Sequence, residues 1–133
     1  MQDLTALVGR ILLVGLFLLG GWDKVNGLDG TANYIASKNL PMPQVLAMVS
    51  AAVELIGAIL IVIGFKTRLA ALALGAFALA ASLIFHDYWN VAPPGQMAQY
   101  LFFTKNIGIL GGLLVLAAFG PGRYSVDGRS SYA

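Results

Sequence analysis

Residues 45–65 read VLAMVSAAVELIGAILIVIGF, and Glu54 near the middle of that run decides how the chain must fold. The run is long enough to cross a bilayer, which takes about 20 apolar residues. A carboxylate at that depth costs roughly 2.5–3.5 kcal/mol on insertion scales, so the fold has to supply a partner for it. The expected partner is Lys105, which lies in a later apolar run at similar depth. The chain is therefore read as all-α, a membrane-spanning four-helix bundle organised around a polar centre.

Composition agrees with that reading. Of 133 residues, 59% are hydrophobic and only 11% are charged, against about 25% charged in soluble domains. The net charge of +2 comes from scattered lysines and arginines. No basic face for a nucleic acid is formed, and none is expected as a partner. The chain has no cysteine, which removes disulfide, thiolate and iron–sulfur chemistry from this chain acting alone. With His86 as the single histidine, a bis-histidine haem within one chain is excluded. Glu54, His86 and Asp87 do not have the spacing of a metal-ligand cluster, so no metal is expected.

Working outward from residues 45–65, spans are expected at about 4–24, 43–65, 67–87 and 96–119. The first follows an acidic amino end and has the length of a span rather than of a cleaved signal. The 27–42 connection is punctuated by Gly27, Gly30, Asn39 and Pro41. Within it, residues 31–38 form a short surface helix, with Tyr34 and Ile35 on its apolar side. The third span is rich in alanine, with Gly75 and Ser82 added, and is expected to be the central packing element, because small residues let helices approach closely in lipid. Pro93-Pro94-Gly95 is expected to break the chain before the last span. That span contains Gly108-x-x-x-Gly112, a close-approach spacing. Residues 1–122 make one domain, and 123–133 are read as a polar, mobile cytoplasmic tail.

Four spans place both chain ends on one face, together with Lys66, Arg68, Arg123 and Arg129. The opposite face carries Lys24 and Lys38, offset by Asp23, Asp29 and Asp87. The positive-inside rule then puts both termini in the cytoplasm, and Trp22, Tyr88, Trp89 and Tyr100 form an aromatic belt on the other side.

Depth arithmetic defines the candidate site. At 1.5 Å per residue, Glu54 lies ~16 Å from the outer end of its span, Lys105 ~14 Å from the outer end of the last, and Arg10 ~9 Å in from the inner side. A Glu54–Lys105–Arg10 cluster is expected, with Ser50, Ser82 and Asn106 as hydrogen-bond partners. Glu54 and Lys105 are the candidate proton and charge pair. Arg10, Lys24, His86, Trp89 and Asn106 are the candidate ligand-binding residues. Each has a plainer structural alternative: a buried pair that fixes helix register, an Arg10 that snorkels to the inner headgroups, and interfacial anchoring for His86 and Trp89.

The pattern resembles the DoxX family of small four-helix membrane proteins. The resemblance rests on Gly9-Arg10-Ile11-Leu12-Leu13 leading to Phe17, Gly20-Gly21 and Lys24, then on Leu40-Pro41-Met42-Pro43 and on Glu54-Leu55-Ile56-Gly57 running to Gly64. It continues through Thr67-Arg68-Leu69-Ala70-Ala71, His86 with Trp89, and Lys105-Asn106-Ile107-Gly108 leading to Gly111-Gly112-Leu113-Leu114. It implies a four-helix bundle of the inner membrane. It also implies a link to redox chemistry, because relatives include a subunit of a thiosulfate:quinone oxidoreductase and the membrane partner of an oxidative-stress complex.

Three functions are weighed on this basis. The leading one is a quinone-associated subunit of a membrane redox complex, an accessory subunit of a quinone-linked oxidoreductase. In it Lys105 or Arg10 steadies the quinol anion, Glu54 relays protons and His86 exchanges them with the outer face. The second is a non-catalytic scaffold for redox or biogenesis partners. The third is transport of a small solute or proton by a homo-oligomer, since four spans are few for an inverted-repeat transporter.

Overall fold

The computed structural model describes residues 1–130, with the Ser130 side chain excepted; residues 131–133 of the expected tail lie outside it. Six α-helices follow in order: α1 (Gln2–Asn26), α2 (Leu28–Ser37), α3 (Pro43–Ile63), α4 (Thr67–Phe85), α5 (Pro93–Phe119) and α6 (Val126–Ser130). A 3-10 turn at Tyr88–Asn90 lies between α4 and α5. Helices α1, α3, α4 and α5 are the four long and apolar enough to cross a membrane. The start of α1 and the segment after α5 are therefore on one face, the terminal face, and α2 and the α4–α5 link are on the opposite loop face.

The last span starts earlier than the sequence predicts. Pro93 and Pro94 do not end a segment but open α5. The first turn of a helix has no use for their missing N–H groups, and their fixed φ suits it. The surface helix exists as α2, shifted towards the amino end. Its Ala32 and Ile35 pack against Ala47 of α3 and against Phe85, so α2 covers the bundle as well as facing the interface.

Helix packing follows one device at every seam: a leucine enters the space above a glycine. A methyl group added at Gly21 of α1 would come within 2.7 Å of Leu55 on α3. One at Gly57 of α3 would lie 2.8 Å from Leu74 on α4, and one at Gly75 of α4 would lie 3.1 Å from Leu110 on α5. The ring closes where Gly112 of α5 receives Leu13 of α1, at 2.8 Å. Close approach of this kind replaces the hydrophobic effect as the source of attraction between helices in lipid. Of the expected Gly108–Gly112 spacing, only Gly112 is used this way, since nothing lies within 4 Å of a methyl at Gly108.

The core is Val14, Phe17, Ala58, Ile61, Ala71, Leu74, Ala78 and Leu113. In keeping with its small residues, α4 buries seven positions, from Thr67 to Ser82, but the helix that packs against most others is α3, which meets α1, α2 and α4. By contrast α5 buries only Leu113 among its described residues. It packs along α4 but barely touches α1, so the α1–α5 seam is loose.

Within the segment read as a polar tail, Ser125 and Asp127 pack against the α3–α4 turn. Gly64 ends α3 with φ 73°, a left-handed conformation that suits glycine. The absence of a side chain there admits Ser125, whose Cβ would be 2.2 Å from an added methyl. Asp127 donates its N–H to the Gly64 carbonyl at 2.8 Å. Its carboxylate accepts the Lys66 and Thr67 N–H groups at 2.9 and 2.8 Å, capping α4 from another part of the chain.

Burial pushes the Asp127 carboxyl up, but its hydrogen bonds from Thr67 and Lys66 and the charge of Arg10 outweigh that and hold it below the ordinary carboxylate value. A lowered folded pKa gives stability that is complete above the unfolded value of about 3.9 and lost as pH falls through the folded one. Asp127→Asn is expected to cost about 1 kcal/mol at neutral pH, the usual worth of a cap. That deficit against wild type should shrink as the pH is lowered towards about 2. Unfolding in detergent across this range measures it, and a pH-independent deficit contradicts the carboxylate cap.

Candidate functional site

Glu54 sits on the inward stripe of α3 with Ala47, Ala51, Gly57, Ala58 and Ile61, and is 6% exposed. Its partner is Lys24 of α1, whose Nζ lies 2.9 Å from both Oε1 and Oε2. Gly20 makes room for the pair: a methyl group there would be 3.1 Å from Glu54 Oε2. The Lys24 side chain keeps 27% of its exposure, so the pair is not sealed in.

The expected Glu54–Lys105–Arg10 cluster is corrected in this respect. Lys105 is exposed, with its Nζ 5.3 Å from the centre of the Phe102 ring. Arg10, 3% exposed, is committed to the terminal face. It donates to the carbonyls of Pro121 at 2.5 Å and Val62 at 3.1 Å, and also to that of Tyr124. One geometric rule accounts for all four side chains. A helical side chain leans towards the amino end of its own helix. Glu54 therefore leans towards the loop face, Lys24 towards the terminal face to meet it, Lys105 towards the loop face onto Phe102, and Arg10 towards the terminal face, away from Glu54. Depth counted at the Cα misses this.

The remaining expected partners turn to local bonds. Ser50 donates to Ala47 O and Ser82 to Ala78 O, each within its own helix. Asn106 is partly buried on the α4-facing side of α5. His86 Nδ1 is 2.8 Å from Gln99 Oε1, and the His86 ring is 5.3 Å from Phe102. Trp89, 51% exposed, meets Tyr88 and Phe103 edge-on, as an interfacial anchor does. The ion pair Lys38–Asp87, at 2.8 Å, ties the end of α2 to the α4–α5 link. It and the Asp127 cap were missed by the sequence reading. Their opposite charges share a face in the topology, which is the one signal available for the first.

Lys105 nevertheless keeps a place at the site. Leu13 and Gly112 touch across the antiparallel α1–α5 seam. Gly20 is seven residues beyond Leu13, and Lys105 is seven residues before Gly112. Seven residues are two turns, ~10.5 Å towards the loop face on the same side of each helix. Lys105 therefore stands across the seam from Gly20, at the depth where Glu54 meets Lys24. The count sets its level only: among the described residues Lys24 is the cation in contact with Glu54, while Lys105 Nζ lies beside the Phe102 ring.

These features define a class: a four-helix integral membrane protein with an ion pair between two of its spanning helices. The chain belongs to the DoxX family, whose model matches residues 5–87. It is 39% identical to the inner membrane protein YphA of Escherichia coli over 96% of this chain and 91% of that one. Against YqjF, another inner membrane protein of Escherichia coli, it is 38% identical over 96% of this chain and 92% of the relative. A Surfeit locus protein 4 homolog of Schizosaccharomyces pombe is 32% identical over 91% of this chain but only 36% of its own length. No solved structure matches the chain.

Proposed function

We propose that the protein is an inner-membrane, quinone-associated subunit of a membrane redox system, with both termini in the cytoplasm. The observation that carries this reading is the Glu54–Lys24 ion pair between two helices long and apolar enough to cross a membrane. A lipophilic quinone arrives through the bilayer, so its route is lateral, and the loose α1–α5 seam supplies one. Its oxygens would meet Lys24 and Lys105, whose charges favour the anionic form. Glu54 would hand on a proton, since a carboxylate in such surroundings is suited to general acid–base work. Reduction of the quinone to quinol takes two electrons and two protons. The electrons would come from a partner protein in the complex, because this chain has no thiol to supply them. His86, at the loop-face end with Gln99, would exchange protons with the outer side. Arg10 leaves the ligand set, because its donors are engaged 111 and 114 residues along the chain.

Titration of the purified protein with a short-chain quinone tests the proposal, followed by quenching of Trp22 and Trp89 emission. Saturable quenching is expected in wild type. Glu54→Gln is expected to weaken binding about tenfold, the loss of one charge-assisted contact worth ~1.5 kcal/mol. Absence of saturable binding in wild type and variant alike would sink the idea. Co-purification of a stoichiometric protein partner in that case favours the scaffold, which draws on the long exposed surface of α5.

A further inference from the structure

On the terminal face, a groove of about 800 Å³ runs between the start of α1, the α3–α4 turn and the segment after α5. Asp127 accepts the Lys66 and Thr67 backbone N–H groups, and Asp3 accepts the Arg123 N–H at 3.2 Å. Lys66 forms no ion pair among the described residues and lies 5.9 Å from the centre of the Phe65 ring. Arg68 uses Nη1 on the Ala117 and Ala118 carbonyls at the end of α5. Its Nη2 and Nε face Gly120 at the groove wall, where a methyl would be 3.5 and 3.7 Å away. Two side-chain cations therefore face one groove with donors to spare.

The other wall of this groove is apolar. Leu69 and Phe119 line it, and they are 65% and 83% exposed. Both lie at the ends of spanning helices, so they continue the lipid-facing surface directly into the charged groove. A free anion gains nothing from such a wall. An amphiphile with an anionic head and an acyl chain satisfies both halves at once.

We propose that the groove binds the phosphate headgroup of an anionic phospholipid, with Lys66 and Arg68 on the phosphate and Leu69 and Phe119 against the acyl chain. The site lies on the opposite face from the Glu54–Lys24 pair and does not depend on the quinone reading. Each basic side chain near an anionic lipid surface is worth about 1 kcal/mol, or roughly fivefold in affinity.

Native mass spectrometry of the detergent-solubilised protein, supplied with equal amounts of phosphatidylglycerol and phosphatidylcholine, provides the test. Wild type is expected to retain phosphatidylglycerol preferentially. Lys66→Gln should cut that preference about fivefold and Lys66→Gln/Arg68→Gln about 25-fold. Arg68 also caps α5, so if the double variant fails to fold, Lys66→Gln alone decides. The Lys66 variant leaves the backbone bonds to Asp127 in place, and Lys66→Arg should restore the preference. Equal retention of the two lipids, or an unchanged preference in Lys66→Gln, overturns the proposal. Millimolar inorganic phosphate should leave the bound lipid in place; displacement of the lipid by it would make this a free-anion site and overturn the assignment to phospholipid.

Discussion

Arg10→Met is expected to free the segment after Pro121 and to cost about 3–5 kcal/mol of stability. The guanidinium is buried and donates to three carbonyls, those of Val62, Pro121 and Tyr124. A hydrogen bond to a charged group contributes about 1.5–3 kcal/mol net, and a buried acceptor left without a donor costs more than the bond was worth. Against that stand the regained apolar contact of methionine and the removal of a costly buried charge, which keep the sum near the lower end. Arg10→Lys should recover only part of the loss, because one ammonium cannot fan out to three carbonyls as a guanidinium does. Unfolding in detergent gives the stability. Limited trypsin digestion gives the geometry, with cleavage after Arg123 expected to be slow in wild type and fast in Arg10→Met. If both stability and cleavage are unchanged, Arg10 is not the clamp that holds this segment.

The contrast between Arg10 and Glu54 shows what the sequence makes legible. The four spans follow from apolar run length alone, because the bilayer sets that length and leaves the backbone few alternatives. That Glu54 needs a cation also follows from the sequence, since the cost of an unpaired carboxylate does not depend on the fold. Which cation answers it does not follow. Counted by Cα depth from the span ends, Lys105 and Arg10 fall near Glu54, whereas Lys24 closes its span ~16 Å away. That count takes α1 and α3 to end level; Gly21 of α1 instead meets Leu55 of α3, and this offset brings Lys24 beside Glu54. Asp127 could not have been found even so. Its partners are 60 and 61 residues away, and no periodicity in a short polar segment reveals that it folds back over a helix start.

Removing Lys24 is expected to be far more damaging than removing Glu54. Lys24→Met leaves a carboxylate that is 6% exposed with no counter-charge in contact, a situation that costs about 3–5 kcal/mol in buried pairs. Glu54→Gln leaves Lys24, whose side chain is already 27% exposed and can extend to the loop-face headgroups, so about 1 kcal/mol is expected. Lys24→Met/Glu54→Leu should recover most of the loss, because it removes both charges together. The position of Lys105 opposite Gly20 adds a sharper consequence. In wild type Lys105→Met should change stability little, since the Lys105 ammonium has only the Phe102 ring beside it. In the Lys24→Met background Lys105 is the one remaining cation across the loose seam, and its removal should cost a further ~1–2 kcal/mol. Unfolding of the four combinations in detergent gives this coupling directly. A coupling of zero would mean that Lys105 does not reach the Glu54 carboxylate. The proposed ligand site would then be a single ion pair, with only Lys24 left to hold the quinol anion.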